Sequence, residues 1–553
     1  MSSSHPLLQA TRLAISTASG STLVNPISFQ VDRREIVALV GESGSGKTLS
    51  SLALMGLLPV GVEQSQGEIH FDGQLIVSPG YSSVEALRGH RMATVFQEPM
   101  TSMNPVLKIG EQIAEVLVRH QNLSWKQAHR QAIALLDRVG ILNPEQRAKQ
   151  YIHQLSGGMR QRVMIASAIS CKPSLLIADE PTTALDVTIQ AQILALLQEL
   201  QQEMEMGILL ITHDLSLVAR YADRAYVMHG GNIVEQGEVA ALLTAPQNPY
   251  TQKLIAASQP EISPSFTANA DQQPLLSLRS LTKSYPQKRA LPFVKPTRQT
   301  VLFPTNLDIR RGEIVGLIGE SGSGKTTLGR AAVGLIPADS GEVVFDGVDL
   351  RNANPTQKLA MRRRAQIIFQ DPFASLNPKI TVGEQIAEPL RVHKLRPASM
   401  IAGRVAELLE LVGLEPHHAQ RLPGAFSGGQ RQRIAIARAL ALEPDLLVAD
   451  EAVSALDLSV RGQILSLLGR LREELGLSVL FISHDLSAVR QVCDRVVMLF
   501  RGNVVESGPA EQVLDAPQHD YTRQLLAAGP DIQQALLLRR EQEISDRAAP
   551  IAK

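Results

Sequence analysis

The eight-residue stretch GESGSGKT occurs twice in this 553-residue chain, at residues 41–48 and again at 319–326. Four pairs of motifs follow it in the same order: VFQEP and IFQDP, LSGGMRQR and FSGGQRQR, LLIADE and LLVADE, ITHDLS and ISHDLS. The intervals between the last three motifs are the same in both copies. A pattern that repeats over domain-sized intervals indicates a duplicated domain rather than a short-period solenoid. The chain is therefore expected to fold as two similar domains.

The boundary between the copies is predicted from composition. The stretch QPEISPSFTANADQQP, residues 259–274, is rich in Pro, Ser, Asn and Gln, which is typical of a flexible connection. We therefore predict a first domain at 1–260, a linker at 261–273, and a second domain with a C-terminal extension at 274–553. With 44% hydrophobic residues, the chain can form a sizeable core in each domain.

Each copy alternates apolar runs with amphipathic stretches. EIVALV and LLIAD in the first copy are short apolar runs typical of buried parallel strands. Residues 109–140 and 382–413 are long amphipathic stretches that are predicted to be mostly helical. The predicted fold class is α/β, with a helical insertion in each domain.

GESGSGKT has the spacing G-x-x-x-x-G-K-[ST] and lies between a predicted strand and a predicted helix, which is the context of a phosphate-binding P-loop. Glycines allow backbone N–H groups to surround phosphate oxygens, while the lysine reaches the β- and γ-phosphates and the threonine ligates Mg²⁺. The predicted ATP-binding residues of the two loops are Gly41, Glu42, Ser43, Gly44, Ser45, Gly46, Lys47, Thr48, Gly319, Glu320, Ser321, Gly322, Ser323, Gly324, Lys325 and Thr326.

Two carboxylates end a predicted strand in each copy. Asp179 and Asp450 suit the role of Mg²⁺ ligands, and Glu180 and Glu451 could accept a proton from an attacking water or orient it. A solvated acidic pair at a strand end is the alternative. Its recurrence in register with a P-loop favours the catalytic interpretation.

A glutamine and a histidine also follow apolar strands in each copy. Gln97 and Gln370 come after ATVF and QIIF, where the amide could contact Mg²⁺ or the attacking water. His213 and His484 come after GILLIT and SVLFIS, where the ring could hold the γ-phosphate or the water. A single loop glutamine or histidine would be structural by default. Twin placement favours a catalytic role for all four.

The SGG turns of LSGGMRQR and FSGGQRQR each open a predicted helix. A serine and two glycines at a helix start can form an anion site from free N–H groups and the helix dipole. The residues of these two turns are Ser156, Gly157, Gly158, Ser427, Gly428 and Gly429.

Together these motifs resemble the nucleotide-binding domains of ABC ATPases over almost the entire chain. The resemblance implies a mostly parallel core sheet, an antiparallel β part and a helical subdomain in each domain. It also implies head-to-tail pairing, in which each ATP lies between the P-loop of one domain and the SGG signature of the other. One site would join Lys47, Thr48, Gln97, Asp179, Glu180 and His213 to Ser427, Gly428 and Gly429. The other would join Lys325, Thr326, Gln370, Asp450, Glu451 and His484 to Ser156, Gly157 and Gly158. Asp186 and Asp457 would be the D-loop residues.

The resemblance further implies an aromatic residue that stacks on adenine, and Tyr285 in LTKSYP matches its position. Aligning LLQATRLAIST with LLSLRSLTKSY places Thr17 there in the first copy. The first site is therefore expected to hold adenine less tightly. The other catalytic residue types are present in both copies, so two hydrolytic sites are expected.

Three groups of tandem ABC proteins that do not transport are alternatives. ABC-F translation factors carry a long charged linker, and chromosome-organising ABC proteins carry long coiled coils; the sequence has neither. Excision-repair ABC proteins carry zinc modules, which this chain's two cysteines, Cys171 and Cys493, cannot build. The same count predicts no zinc site and no iron–sulfur cluster.

The stretches EPMTSMNPVLKIGEQIAE and DPFASLNPKITVGEQIAE, with the domain ends APQNPYTQKL and APQHDYTRQL, are similar to the peptide, oligopeptide and nickel importer branch. With two ATPases fused, the pattern is most similar to the glutathione importer ATPases, followed by the microcin C or general dipeptide importer type. The resemblance implies import of short peptides, with nickel or another solute of the branch as the alternative.

ATP and Mg²⁺ are the implied cofactors, and two multi-helix permease subunits with a periplasmic solute-binding protein are the implied partners. A net charge of zero argues against a nucleic-acid partner. The N-terminus lacks a signal-peptide pattern, and no apolar run reaches the length of a membrane helix. The chain is expected to be peripheral on the cytoplasmic face of a bacterial inner membrane, touching the membrane only through the permease.

Overall fold

The computed structural model describes residues 5–183, 185–258, 273–286, 298–453 and 456–548, which form two compact units. The first unit is Met1–Gln259 together with Pro530–Lys553, and the second is Pro260–Gly529. The predicted linker lies, apart from its last residue, outside the described residues. The sequence analysis kept the C-terminal segment with the second domain, whereas the structure groups it with the first unit.

The first unit has an antiparallel sheet of order β2-β1-β4-β5-β6 and a second sheet of order β11-β10-β3-β9-β8-β7. In the second sheet the pairs from β10 to β7 are parallel and β11 is antiparallel. The strands are β1 (Leu8–Thr17), β2 (Thr22–Val31), β3 (Ile36–Val40), β4 (Val62–Phe71), β5 (Gln74–Ser78), β6 (Tyr81–Ser82), β7 (Met92–Val95), β8 (Leu175–Asp179), β9 (Gly207–Thr212), β10 (Arg224–His229) and β11 (Asn232–Glu238). The helices are α1 (Lys47–Leu54), α2 (Pro99–Ser102), α3 (Ile109–Gln121), α4 (Trp125–Arg138), α5 (Pro144–Arg147), α6 (Gly157–Ala168), α7 (Val187–Met204), α8 (Leu215–Tyr221), α9 (Val239–Thr244) and α10 (Pro249–Ser258).

The second unit repeats this plan with sheets of order β13-β12-β15-β16 and β17-β18-β19-β14-β20-β21. Its strands are β12 (Leu276–Pro286), β13 (Arg298–Ile309), β14 (Ile314–Ile318), β15 (Ser340–Phe345), β16 (Val348–Asp349), β17 (Ala365–Ile368), β18 (Leu446–Asp450), β19 (Ser478–Ser483), β20 (Arg495–Phe500) and β21 (Asn503–Pro509). Its helices are α11 (Lys325–Ala332), α12 (Pro355–Arg364), α13 (Pro372–Ser375), α14 (Val382–Val392), α15 (Ala398–Leu411), α16 (Gly428–Leu440), α17 (Leu458–Leu475), α18 (Leu486–Val492), α19 (Ala510–Asp515) and α20 (Asp520–Ala528). Helix α21 (Ile532–Ala548) completes the first unit.

The core of each unit explains why the apolar runs are strands. All five residues of β3 and all five of β8 are buried, as expected for strands that are covered on both faces. Leu39 and Ile177 from these strands pack in one cluster with Phe29 and Phe71 from the antiparallel sheet. Burying each such side chain contributes about 1.5–3 kcal/mol. The two sheets of the unit therefore share one core.

The predicted helical insertions are confirmed. Residues 109–140 form α3 and α4, which are separated near Asn122, a residue with a left-handed φ of 53°. Residues 382–413 form α14 and α15. Ile113 and Leu117 of α3 and Leu136 of α4 are fully buried, so the apolar stripes seen in the sequence face inward.

Parallel strand order brings the site together. Strands β3, β9, β8 and β7 are successive neighbours, and their carboxyl ends meet at one edge of the sheet. The P-loop follows β3, His213 follows β9, Glu180 follows β8, and Gln97 follows β7 after one residue. Residues that are far apart in sequence thus reach one place without any unusual loop.

None of the helices that the structure describes combines the length and the apolar character that crossing a bilayer requires.

Candidate functional site

Each P-loop folds so tightly that glycine is required at its first position. A Cβ on Gly41 would lie 2.2 Å from the carbonyl oxygen of Met228, and one on Gly319 would lie 2.1 Å from that of Leu499. Gly46, the last residue before α1, has a φ of 100°, which side chains disfavour. The backbone can therefore turn inward, as phosphate binding by N–H groups requires.

The P-loop lysine is buried against the loop itself. The Nζ of Lys47 donates hydrogen bonds to the carbonyl oxygens of Gly41 at 2.7 Å and Glu42 at 2.9 Å, and the residue is 5% exposed. Lys325 makes the equivalent two contacts at the same distances. Carbonyl dipoles compensate a buried ammonium only in part, so the loop favours an anion beside it.

A threonine and an aspartate face each other beneath the loop. The Oγ1 of Thr48 donates to Asp179 Oδ1 at 3.3 Å, and Ser51 Oγ donates to Asp179 Oδ2 at 3.4 Å. In the second unit Thr326 donates to Asp450 at 3.0 Å. Hard oxygen donors at this position, next to a phosphate-binding loop, fit the ligand preferences of Mg²⁺.

The two adjacent carboxyl groups of the first unit, Asp179 and Glu180, have pKa values shifted in opposite directions. Burial, together with the charge of Glu180, raises the pKa of Asp179 from 3.8 to about 6. Burial by itself would raise the pKa of Glu180, but the hydrogen bond and charge of His213, with Thr183, lower it to about 2. The equivalent carboxyls of the second unit shift in the same directions. The two neighbouring carboxyls are therefore suited to different tasks: the aspartate is a candidate cation ligand, and the glutamate stays ionised at neutral pH.

The raised pKa of Asp179 predicts that the chain releases protons when Mg²⁺·ATP binds. Because the pKa of Asp179 in the free unit is about 6, most of this carboxyl is protonated at pH 5 and must lose its proton to ligate a cation. We therefore expect the affinity for Mg²⁺·ATP to rise as the pH rises through about 6. Calorimetry at pH 5.5 in buffers of different ionisation enthalpy measures the protons released.

The control for this prediction is Asp179→Asn, which removes the titrating group at nearly constant size. It should abolish the part of the proton release that belongs to the first site. An unchanged proton count in this variant would contradict the assignment.

Glu180 is held by three side chains. Its Oε2 accepts hydrogen bonds from Gln97 Nε2 and Thr183 Oγ1, both at 2.8 Å, and its Oε1 lies 3.3 Å from Nδ1 of His213. Its φ is 46°, and its N–H donates to a carbonyl at the end of β9 at 2.9 Å. The backbone and the side chain are therefore both fixed, so the carboxylate is positioned before any water arrives.

Glu451 has an equivalent environment in the second unit. Gln370 Nε2 donates to its Oε2 at 2.7 Å, His484 Nδ1 lies 3.6 Å from its Oε1, and its φ is 50°. The sequence analysis paired these three residue types only by their order after strands. The structure brings them into contact in both units.

The SGG turn of the first unit is at the start of α6, where Ser156 is the N-cap and its Oγ accepts from the N–H of Met159 at 3.5 Å. A Cβ on Gly158 would lie 2.7 Å from Cγ2 of Ile189 in α7. The second glycine thus has a packing role as well as its predicted one. Asp186, the predicted D-loop residue, caps α7 by accepting from the N–H of Ile189 at 3.0 Å.

The second unit repeats this arrangement at the start of α16. Ser427 Oγ accepts from the N–H of Gln430 at 3.3 Å, and a Cβ on Gly429 would lie 2.2 Å from Cγ1 of Val460. Both turns thus lie at a helix N-terminus, where the first backbone N–H groups have no partner within the helix and can bind an anion.

Thr17 and Tyr285 occupy equivalent positions at the ends of β1 and β12, as the alignment predicts. Tyr285 is 39% exposed, and the Nζ of Lys283 lies 5.6 Å from the centre of its ring. Thr17 instead takes part in a turn, where its Oγ1 lies 2.8 Å from Ser19 Oγ and accepts from the N–H of Ser21 at 3.0 Å. The aromatic platform is therefore present at this position only in the second unit.

The sequence analysis missed two tyrosines that bind the P-loops. Tyr521 of α20 accepts a hydrogen bond from the N–H of Glu320 at 2.9 Å, and Tyr250 of α10 accepts one from Glu42 at 3.4 Å. The Tyr250 ring stacks on His229 of β10, with centroids 3.9 Å apart, and the Tyr521 ring lies tilted against Phe500 of β20, with centroids 4.2 Å apart. The signal was available, because both tyrosines lie in the repeated domain ends APQNPYTQKL and APQHDYTRQL.

We expect Tyr521→Phe to weaken ATP binding at the second P-loop by about three- to tenfold, the effect of losing one hydrogen bond. The ring and its packing remain, so the thermal unfolding of the second unit should change little. Equilibrium binding of a fluorescent ATP analogue measures the effect. Tyr221→Phe is a matched control, because it removes a hydroxyl that binds the carbonyl of Ala191 away from any P-loop. Equal affinities for the two variants would contradict the prediction.

One group of possible metal ligands occurs among the described residues, namely Glu415, His417 and His418. His418 Nδ1 accepts from the N–H of Glu415 at 3.2 Å, His417 Nε2 lies 3.1 Å from a guanidinium nitrogen of Arg421, and His417 Nδ1 lies 2.8 Å from a carboxylate oxygen of Glu415. The three side chains therefore contact one another and Arg421.

Comparison with protein families agrees with this geometry. The sequence model of the family described as ABC transporter matches residues 24–183 and 302–454, which is more than half of the chain. A second model, described as the oligopeptide/dipeptide transporter C-terminal region, matches residues 234–282 and 505–550. Both P-loops, both carboxylate pairs and both P-loop tyrosines fall within these matches.

Comparison with individual proteins extends the likeness to nearly the whole chain. The Glutathione import ATP-binding protein GsiA of Escherichia coli strain K12 is 48% identical over 542 residues, covering 92% of this chain and 86% of that protein. The protein of the same name from Shigella flexneri has the same identity and coverage. A dimeric ATP-binding cassette, MJ0796, bound to ADP and Pi, is 32% identical, with a TM-score of 0.38, over 42% of this chain and 98% of that chain. The chain therefore belongs to the ATP-hydrolysing subunits of the ABC transporter family, as a tandem ATPase with oligopeptide-type C-terminal regions.

Proposed function

We propose that this ATPase energises the import of short peptides through a separate permease, with glutathione as the first candidate solute. The observation that supports the proposal is the combination, in one chain, of two ABC transporter matches, each containing a full set of the side chains predicted to be catalytic up to its glutamate, and two oligopeptide-type C-terminal regions. The relatives that are 48% identical are named for glutathione import. Nickel or another solute of the same branch is the alternative.

Within each unit, the lysine and the P-loop N–H groups would bind the β- and γ-phosphates of ATP. Threonine, aspartate and glutamine oxygens would hold Mg²⁺, which neutralises charge on the phosphates when bound. The glutamate, ionised and fixed by glutamine and threonine, would orient the attacking water, and the histidine would contact the γ-phosphate or that water. A pKa of about 2 keeps Glu180 ionised at neutral pH, so its carboxylate would accept a hydrogen bond from the attacking water, hold it in line and take its proton as the water attacks.

We also propose that the two units pair head to tail. Each unit has one P-loop, which follows a strand of the parallel sheet, and one SGG turn, which begins a helix. A composite site would use the turn of one unit to complete the phosphate site of the other. Lacking the aromatic platform at Thr17, the site with the first P-loop would bind adenine more weakly.

The partners of such an importer would be two multi-helix permease subunits and a periplasmic solute-binding protein. The chain would lie on the cytoplasmic face of the inner membrane and contact it through the permease. The solute need not touch this chain, so peptide specificity would reside in those partners.

The test is uptake of labelled glutathione, a labelled dipeptide and a labelled tripeptide by cells that lack the chain. The cells are complemented with the wild type or with Glu180→Gln/Glu451→Gln. If glutathione uptake needs the intact glutamates, the proposal that glutathione is the solute is supported. Uptake of the di- and tripeptides alone would assign a general peptide importer. If none of the three responds while the purified chain still hydrolyses ATP, the peptide proposal is wrong.

A further inference from the structure

The C-terminal helix α21 packs on α8 of the first unit. Ile532 and Ala535 of α21 are 3% and 0% exposed. Arg539 donates one hydrogen bond to the carbonyl of Ala222 and a second, at 2.8 Å, to Oδ1 of Asp223. The helix is therefore attached both by apolar packing and by a guanidinium aimed at the residues that follow α8.

Asp223 joins three parts of the first unit. Its Oδ2 accepts the N–H of Ile36, the first residue of β3, at 2.9 Å, and its own N–H donates to the Ile36 carbonyl at 2.7 Å. Its carbonyl accepts the N–H of Val239 in α9 at 3.1 Å. The carboxylate thus fixes the start of the strand that leads directly into the first P-loop.

The second unit has an aspartate in the equivalent position, but an arginine from a different helix binds it. Asp494 accepts the N–H of Ile314 at 2.7 Å with Oδ2 and donates to the Ile314 carbonyl at 2.9 Å. Its Oδ1, however, accepts from Arg472 Nη1 at 3.0 Å, and Arg472 belongs to α17 of the same unit. In both units a guanidinium therefore binds the carboxylate oxygen that does not cap the strand.

The sequence shows why no arginine of α7 binds the aspartate of the first unit. Helices α7 and α17 both have 18 residues and follow the equivalent Asp186 and Asp457. Counting from those aspartates, the position of Arg472 in α17 is Gln201 in α7, a residue that is 5% exposed. Glutamine has no charge to give a carboxylate, so the first unit does not supply this cation from its own α7.

We propose that α21 is an in-chain partner of the first unit and that Arg539 takes, on Asp223, the place that Arg472 holds on Asp494. Arg539 is then a positioning residue for β3 and the first P-loop, acting through Asp223. The inference goes beyond the proposed function, because it depends neither on the solute nor on the chemistry of hydrolysis.

The two pairs differ in burial, which sets the expected sizes of effect. The side chains of Arg539 and Asp223 are 22% and 44% exposed, against 12% and 10% for Arg472 and Asp494. Solvent screens the more exposed pair. Losing Arg539 should therefore perturb its unit less than losing Arg472 perturbs the other.

Hydrogen exchange measured by mass spectrometry on the full-length chain tests the proposal. In Arg539→Gln we expect peptides covering β3 and α8 to exchange about three- to tenfold faster, with peptides covering β14 and α18 unchanged. Arg472→Gln should do the reverse, with a larger factor. The added variant Gln201→Arg, combined with Arg539→Gln, should restore the wild-type rates of β3 by supplying the cation from α7.

If Arg539→Gln leaves the exchange of β3 at the wild-type rate, or if α21 itself exchanges as fast as an unfolded peptide in the wild type, the proposal is overturned. If β3 is affected but Gln201→Arg does not restore it, the replacement of Arg472 by Arg539 is wrong. The single variant Gln201→Arg is the control for the double variant, and its thermal unfolding measures whether an arginine at this buried position is tolerated.

Discussion

Replacing both Glu180 and Glu451 with glutamine is expected to lower ATP turnover by about 10²- to 10⁴-fold, the usual loss when a residue that handles the proton of the attacking water is removed. Glutamine has nearly the same size, so the contact with Gln97 and the half-buried position after β8 can persist. What disappears is the negative charge that His213 faces at 3.3 Å and that orients the water. Steady-state release of phosphate measures the loss.

The single variants test whether the two sites work together. If the sites were independent, Glu180→Gln alone would leave about half of the turnover. Head-to-tail pairing predicts a greater loss, because each cycle needs both units to close. Glu199→Gln, an exposed change on α7 outside the site, is the matched control. Wild-type turnover in the double variant would contradict the assignment of both glutamates.

Gly319→Ala is expected to abolish ATP binding at the second P-loop and to destabilise the second unit by more than about 2 kcal/mol, as overpacking against rigid atoms does. The new Cβ would lie 2.1 Å from the carbonyl oxygen of Leu499, a backbone atom of the central sheet that cannot move aside. Calorimetric unfolding and binding of a fluorescent ATP analogue measure the two effects.

The control for this change lies in the same loop. Gly322 has a φ of 81°, and a Cβ there meets nothing within 4 Å, so Gly322→Ala should cost only the roughly 1–2 kcal/mol of a left-handed alanine. If the two variants bind ATP and unfold alike, the close approach to Leu499 does not govern the loop.

The candidate site was predictable because parallel strands impose its geometry. Once the P-loop, Gln97, Glu180 and His213 are each assigned to a strand end, adjacency of those strands brings them together. Strand order did not have to be known in advance, because recurrence in two copies singled out the same polar residue types. The α/β class and the helical insertions follow from the same local patterns.

Three features depend on contacts that no local pattern encodes. The repeated domain ends single out Tyr521, but not its contact with a P-loop residue 201 positions earlier in the chain. Gly429 is required partly because Val460 of α17 packs against it, and packing partners are not visible in a motif. Arg539 lies in a charged tail that resembles any solvated helix, and its partner Asp223 is more than 300 residues away. Such long-range pairings are set by the whole fold rather than by the neighbouring sequence.

The position of α21 has a consequence for the order of synthesis. The first unit lacks its last helix until the ribosome has made the second unit, about 270 residues long. At translation rates of about 5–20 residues per second, this delay is about 15–50 s. During that time α21 does not yet cover α8, and Arg539 does not yet bind the carboxylate of Asp223. A chain that ends prematurely, or that loses its tail to a protease, therefore leaves this face of the first unit uncovered.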